Sequence, residues 1–381
     1  MERRECLWCQ MDDIFAILGS ANINNRCRRG PRRCFTFAQA LFFFFASLGF
    51  VCHIFYGRSQ AMARKPALQL TPAFFETENV SSVRLLVLYS YFEGETVSIC
   101  QIRMKRVNLI FFLRNAVYET ADVDFVFTFS GRVPSAAEMY SSVGFEVPPN
   151  GEILPAYENV FFRRSHTKAA DLCHHAQTSL AIGLQKYDHV LFMNDGVRGP
   201  FSSQKPAAIR SDFLIGIPNW LKEYFELLYA DFAVGAVGTV LSHEITTHLQ
   251  GWFVLLRRGD FERFVLPSFS KTCSVENWSD AIQLELSISS LILNARMGLA
   301  ALFPHKHILK GGRKEKKEHM NPLTKFALQH PNREIPLQEV GFLKIGGNFE
   351  RQDIHSNATK SLVNVLTRQI IGNDETNYWC F

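Results

Sequence analysis

Cysteine is scarce in this chain, with nine in 381 residues, too few to hold a fold together as a disulfide scaffold. Glycine and proline, at 23 and 15, are too sparse for a collagen-like or low-complexity chain, and 47% hydrophobic residues exclude a disordered one. No internal repeat is present, and the lysine-rich run Lys310–Lys317 reads as a solvated loop. Charge of one sign is scant too, at 41 Lys and Arg against 36 Asp and Glu. Seven of those bases and four of those acids fall in residues 1–34, which leaves 34 against 32 over the remainder. A large domain so near neutrality argues against nucleic acid as a partner. The length suits one large domain or two small ones, with a core that needs no stapling.

What the sequence does have is one long uncharged run. Phe35–Tyr56, FTFAQALFFFFASLGFVCHIFY, is 22 residues with eight Phe and no formal charge. At a rise of about 1.5 Å per residue it reaches across a hydrocarbon core roughly 30 Å thick. Arg26, Arg28, Arg29, Arg32 and Arg33 precede it; Arg58, Arg64 and Lys65 follow. That asymmetry favours a cytosolic N-terminus. A cleaved signal peptide would have a shorter apolar region beginning nearer the N-terminus. The expectation is a type II signal anchor, with a basic cytosolic tail (1–34), a membrane span (35–57), a lumenal stem (58–82), a folded domain (83–350) and a C-terminal tail (351–381).

Sequons at Asn79, Asn277 and Asn357 all follow the span and are compatible with a lumenal domain. Cys100, Cys173, Cys273 and Cys380 also follow it, an even number that allows two disulfides in three pairings. Cys6 and Cys9 have the spacing of half a zinc site, but Cys27 and Cys34 are separated by six residues, wider than such sites use.

From Val83 onward, short apolar runs alternate with amphipathic stretches. Val83–Phe92, Asp124–Ser130, Asn159–Ser165, His189–Asp195 and Phe232–Ser242 read as strands, and Val97–Val117 and Lys168–Lys186 as helices. This alternation predicts an α/β fold, a mostly parallel sheet with helices on both faces. Ligands of such sheets bind at the carboxyl ends of the strands. Asn194-Asp195-Gly196 lies at one such end. A carboxylate there suits a divalent cation that neutralises a diphosphate leaving group, while an Asx turn leaving the strand explains the same residues without chemistry. A literal Asp-x-Asp, Asp122-Val123-Asp124, precedes its strand and is discounted, because it would sit at the opposite edge.

The stretch Tyr157–Phe201, ending in NDGVRGPF, resembles a eukaryotic family of single-pass membrane glycosyltransferase-like proteins related to bacterial rhamnan-synthesis transferases and to inverting GT-A enzymes. GAVGTVLS (Gly235–Ser242), HLQGWFVLLRRGDFERF (His248–Phe264), IQLELSISSLIL (Ile282–Leu293) and IPLQEVGFLKIGGN (Ile335–Asn348) extend the likeness. The resemblance implies a GT-A-like, Rossmann-like domain moving a sugar from a nucleotide-sugar donor to a glycan or glycoprotein, in a Golgi membrane, with the endoplasmic reticulum or cell surface as alternatives. It implies Asp171, Arg164, Asn194, Asp195 and Arg198 at the donor, Mn²⁺ or Mg²⁺ on Asp195 and His305, and Glu285 as the general base. The sequence departs from the family where His166–Asp171 retains only the final Asp of Asn-x-Gly-x-Asp, and where Asn-Asp replaces Asp-x-Asp. Those departures support an alternative, a membrane-anchored binding or scaffold protein that keeps the fold without the reaction.

Overall fold

A computed structural model describes residues 83–95, 97–144, 146–167, 170–201, 216–231, 233–274, 277–303, 306–311, 322–345 and 357–371. Contacts divide the chain into Met1–Glu76 and Thr77–Phe381, and every described residue belongs to the second unit. The anchor, the stem, Asn79 and His305 lie outside the described residues. Among those described, no helix is long and apolar enough to cross a membrane.

In chain order the elements begin with β1 (Leu85–Glu93), α1 (Ile99–Asn115), β2 (Val123–Gly131), α2 (Ala136–Ser141), β3 (Val160–Ser165), α3 (Asp171–Ile182), β4 (His189–Asn194) and β5 (Val197–Arg198). Next come α4 (Lys222–Ala230), β6 (Val234–Ser242), β7 (His248–Leu249), β8 (Phe253–Arg257), α5 (Leu266–Thr272) and α6 (Trp278–Asn294). The remainder is β9 (Gly298–Phe303), β10 (His307–Leu309), α7 (Pro322–Gln329), α8 (Leu337–Val340), β11 (Leu343–Lys344) and α9 (Asn357–Ile371). The sheet runs β10-β9-β6-β8-β4-β1-β2-β3, with β7 on β6, and β11 pairs separately with β5. β1, β2, β3 and β4 are mutually parallel, and β6 and β9 point the same way. β8 enters antiparallel between β4 and β6. The mixed α/β fold with a central, mostly parallel sheet is therefore present, with β7, β8 and β10 reversed in directions that apolar runs do not announce.

Strand alternation divides the interior in two. Phe125, Phe127, Phe129, Leu191 and Met193 face α1 and α4, whereas Val126, Val190 and Phe192 face α3, α5 and α6. Burial of these side chains on both faces explains why the strands read as continuous apolar runs. α1 begins at a capping box, Ser98 with Gln101, that satisfies two backbone donors. Cys173 of α3 is bonded to Cys273 just after α5, one of the three pairings the cysteines allow, and Cys100 is also disulfide-bonded.

The RGPF stretch is a packing device. Gly199 has φ of +151°, and a Cβ there would meet the Phe342 ring and the Gly341 carbonyl. Only glycine permits that approach, which seats β5 against β11. Gly196 and the β5 pair thereby stay at the carboxyl end of β4.

Candidate functional site

The carboxyl ends of β1 and β4 gather the polar residues, but not as the sequence pairs them. Successive residues of a strand point to opposite faces, and Asn194 and Asp195 diverge accordingly. Asn194 shares the α3 face with Phe192, and its amide donates to Asp171 Oδ2 at 2.7 Å. Asp195 turns to α1. Its Oδ2 accepts from the Phe92 backbone N–H at 2.8 Å and pairs with Lys105 Nζ at 3.2 Å. Lys105 is held by the Phe92 carbonyl at 2.9 Å and lies over the Phe92 ring. Burial raises the Asp195 pKa from its usual carboxylate value, with Lys105 and the Phe92 N–H opposing.

This geometry corrects the expectation of a metal on Asp195. A divalent ion on that carboxylate would lie close to an ammonium in a poorly hydrated place, and Asn194 supplies no second ligand on that face. Among the described residues no group of three His, Cys, Asp or Glu is placed to hold a metal. The described residues around Asp195, as arranged, do not fit the cation, and His305, the other expected ligand, lies outside them.

Arg198 is also corrected. It is fully buried, and its guanidinium donates to Asn108 Oδ1 at 2.8 Å and Thr367 Oγ1 at 3.2 Å. It is a strut joining β5 to α1 and α9, with no surface for a phosphate. Arg164 pairs in register with Phe129 and stands exposed on the face away from α3. Its neighbour Arg163 pairs with Thr128, which bonds Thr178 of α3, and acts electrostatically on His174. Period-two alternation in VFFRRS was the signal that could have chosen Arg163.

Asp171 opens α3 as its first residue, with Oδ1 on the Leu172 N–H at 3.0 Å and Oδ2 on Asn194. An acid here is favoured by the helix dipole, and no side chain caps this N-terminus otherwise. Glu285 of α6 completes the group. Its Oε1 accepts from the Gly251 N–H at 2.8 Å, and a Cβ on Gly251 would collide with that oxygen. The Asn194 N–H donates to the Trp252 carbonyl at 3.3 Å, so the Gly251-Trp252 step links Glu285 to Asn194. Behind Glu285 lies a cavity of about 20 Å³, walled by Phe192, Leu249, Val254, Ile288 and Ile292. Burial against that wall is the main cause that pushes the Glu285 pKa up to about 7, and Asp171 adds to it, while Lys344 and the Gly251 N–H oppose.

Gly251 and Lys344 were not marked as site residues by the sequence. Burial lowers the Lys344 pKa, against the opposing pull of Glu285 and Asp171. The other histidines near these strands, Asp124 and the described sequons fall elsewhere. His174 contacts Ser90 Oγ and the Thr167 carbonyl, and His175 is packed between Phe192 and Phe269 with a pKa lowered by burial to about 4. Both are held within the α3 packing. His307 opens β10 and is exposed. Asp124 lies at the opposite sheet edge, bonded to Tyr187 and Lys186 at 2.6 and 2.7 Å, which agrees with its exclusion. Asn277 caps α6 through the Asp280 N–H and carboxylate. Asn357 begins α9.

No family model and no curated protein matches this chain. Solved structures similar to it include a protein assigned as a nucleotide-diphospho-sugar transferase of Desulfovibrio desulfuricans G20, at 12% identity and a TM-score of 0.35, covering 76% of this chain and 98% of that one. The apo glycosyltransferase GlyE of Streptococcus pneumoniae TIGR4 is similar at 10% identity and a TM-score of 0.35, covering 76% of this chain and 62% of that one. Mouse xyloside xylosyltransferase 1 is similar at 9% and 0.27, covering 54% and 76%. The neighbours are glycosyltransferases and a nucleotide-diphospho-sugar transferase, but similarity this low carries neither family nor activity to this chain.

Proposed function

We propose that this protein is a membrane-anchored glycosyltransferase that moves a sugar from a nucleotide-sugar donor to a hydroxyl of a glycan or glycoprotein. The observation that carries the reading is Glu285, half-buried at the edge where the strands end, fixed by the Gly251 N–H at 2.8 Å and tuned to about 7. A carboxylate poised there takes a proton at neutral pH and gives it up readily, as a general base must. In an inverting displacement Glu285 removes the acceptor hydroxyl proton as that oxygen attacks the anomeric carbon. The bond from that carbon to the diphosphate breaks, and its electron pair leaves with the diphosphate. Asp171 and Asn194, locked together at 2.7 Å, form the rigid floor on which a nucleoside hydroxyl can be held.

The test is nucleotide release by the full-length protein in detergent, offered a panel of UDP-, GDP- and CMP-sugars with mixed glycan acceptors. One donor should give release that Glu285→Gln abolishes. The commitment of Asp195 to Lys105 and of Arg198 to Asn108 favours the second reading, a binding or scaffold protein. Nucleotide binding without release from any donor would establish that reading instead.

A type II anchor in the Golgi membrane is part of the proposal. It is supported by the Arg-rich flank before Phe35–Tyr56 and by the Cys173–Cys273 disulfide, since disulfides persist in oxidising compartments. A C-terminal tag should resist protease in sealed microsomes and become sensitive in detergent. Digestion without detergent would reverse the topology.

A further inference from the structure

We propose that the donor diphosphate is met by the Lys344 ammonium, and that this site takes a nucleoside diphosphate without a divalent cation. The inference rests on the nucleotide-sugar reading above and adds what neutralises the leaving group.

Three observations carry it. The first is the Lys105–Asp195 pair at 3.2 Å, which already provides the cation that the only carboxylate of the Asn194-Asp195 step accepts. The second is where β11 lies. Leu343 pairs with Arg198 and Lys344 with Val197, and the Ile345 N–H donates to the Gly196 carbonyl at 2.8 Å. The fold thus carries Lys344, from about 150 residues downstream, to the chain that leaves β4 at Asn194. The glycine at 199 and the buried Arg198 hold β5 against β11.

The third is the company that Lys344 keeps. It acts electrostatically on Glu285, Asp171 and His248, which come from α6, α3 and β7. A cation on the strand paired with β5, beside the chain that leaves β4 at Asn194, is placed to meet a leaving group held over the Asp171–Asn194 floor. Lysine acts on phosphate as a point charge and needs no bidentate geometry. Burial strengthens that charge, because little water competes for it. An anion entering beside Lys344 would also offset the desolvation that lowers its pKa.

The experiment is calorimetry on the full-length protein in detergent with UDP and with GDP, each in EDTA and in MnCl₂. One of the two should bind with affinities that agree within about twofold in the two buffers. Lys344→Met should weaken that affinity about tenfold or more, the scale of one charged hydrogen bond. Lys344→Arg should recover most of it, and melting temperatures control for folding. If Lys344→Met fails to fold, the wild-type comparison in EDTA still decides. Affinity that requires Mn²⁺ and collapses in Asp195→Asn overturns the inference while the nucleotide-sugar reading stands. Undiminished affinity in a folded Lys344→Met overturns the role of Lys344. Binding of neither nucleotide in either buffer overturns both.

Discussion

Glu285→Gln is expected to lower the rate of sugar transfer by about 10²- to 10⁴-fold, roughly 3–5 kcal/mol of transition-state stabilisation, the range of a positioned general base. Gln is nearly isosteric and still accepts the Gly251 N–H, so the loop at Gly251 keeps its anchor. What disappears is the proton acceptor, so nucleotide affinity should hold while turnover falls. The pH dependence follows from the raised pKa of about 7. The base works only when ionised, so the wild-type rate should climb toward pH 7 and level off above it, while the residual rate of Glu285→Gln lacks that limb. Stability should run the other way. A carboxylate raised in the folded state favours folding at low pH and loses that contribution as pH rises through its folded pKa. Between about pH 4.5 and 7 the wild type should therefore lose melting temperature relative to the variant. A rate retained within about threefold, or matching pH profiles of rate and melting in the two proteins, would remove Glu285 from the chemistry.

The legible part of the fold was the part written as contiguous apolar runs. β1, β2, β4 and β6 fall within or beside the runs that named them, because strands buried on both faces need no polar alternation, and the edge strand β3 was named by its aromatic run although much of it is exposed. Direction is not written in such runs. FVLLR of β8 is as apolar as its neighbours, and only the reversal of the chain between β6 and β7 makes it antiparallel. β5 and β11, two residues each, carry no periodic signal at all.

Residues of the site divided along the same line. Asp171 and Glu285 were named through the family resemblance, and the fold brings both to the Asn194 edge. Asn194 and Asp195 were read as one motif because they are adjacent, yet adjacency on a strand means opposite faces. The alternation that sends Phe192 one way and Met193 the other already implied that divergence. Arg163 and Arg164 repeat the lesson on β3. Lys344 lay inside the stretch Ile335–Asn348 that carried part of the resemblance, but it was given no role there, because only the β5–β11 pairing brings it to the site. Nor could sequence report that Arg198 would be sealed inside, because that depends on Asn108 and Thr367, 90 and 169 residues away.

The largest stability effect is expected at Arg106, on the α1 side of the same strand end. Glu93 closes β1 with only 2% exposure, and Arg106 of α1 is 7% exposed. Their pairing is bidentate, Nε to Oε1 at 2.7 Å and a terminal amine to Oε2 at 3.0 Å. Tyr91 Oη also donates to Oε1, and Arg106 reaches the Glu138 carbonyl at 3.0 Å. Arg106→Met fills the space of the alkyl stem but leaves a buried carboxylate with one neutral donor. Stranding such a charge costs about 3–5 kcal/mol, or about 6–20 °C in melting temperature for a domain of this size. Adding Glu93→Gln removes the stranded charge and keeps an acceptor for Tyr91, so the double variant should recover most of the loss. Thermal unfolding of the three proteins checks both expectations. A single-variant loss below about 1 kcal/mol would mean that the pair contributes no more than an exposed one, and a double variant as weak as the single would assign the loss to the missing arginine stem rather than to charge.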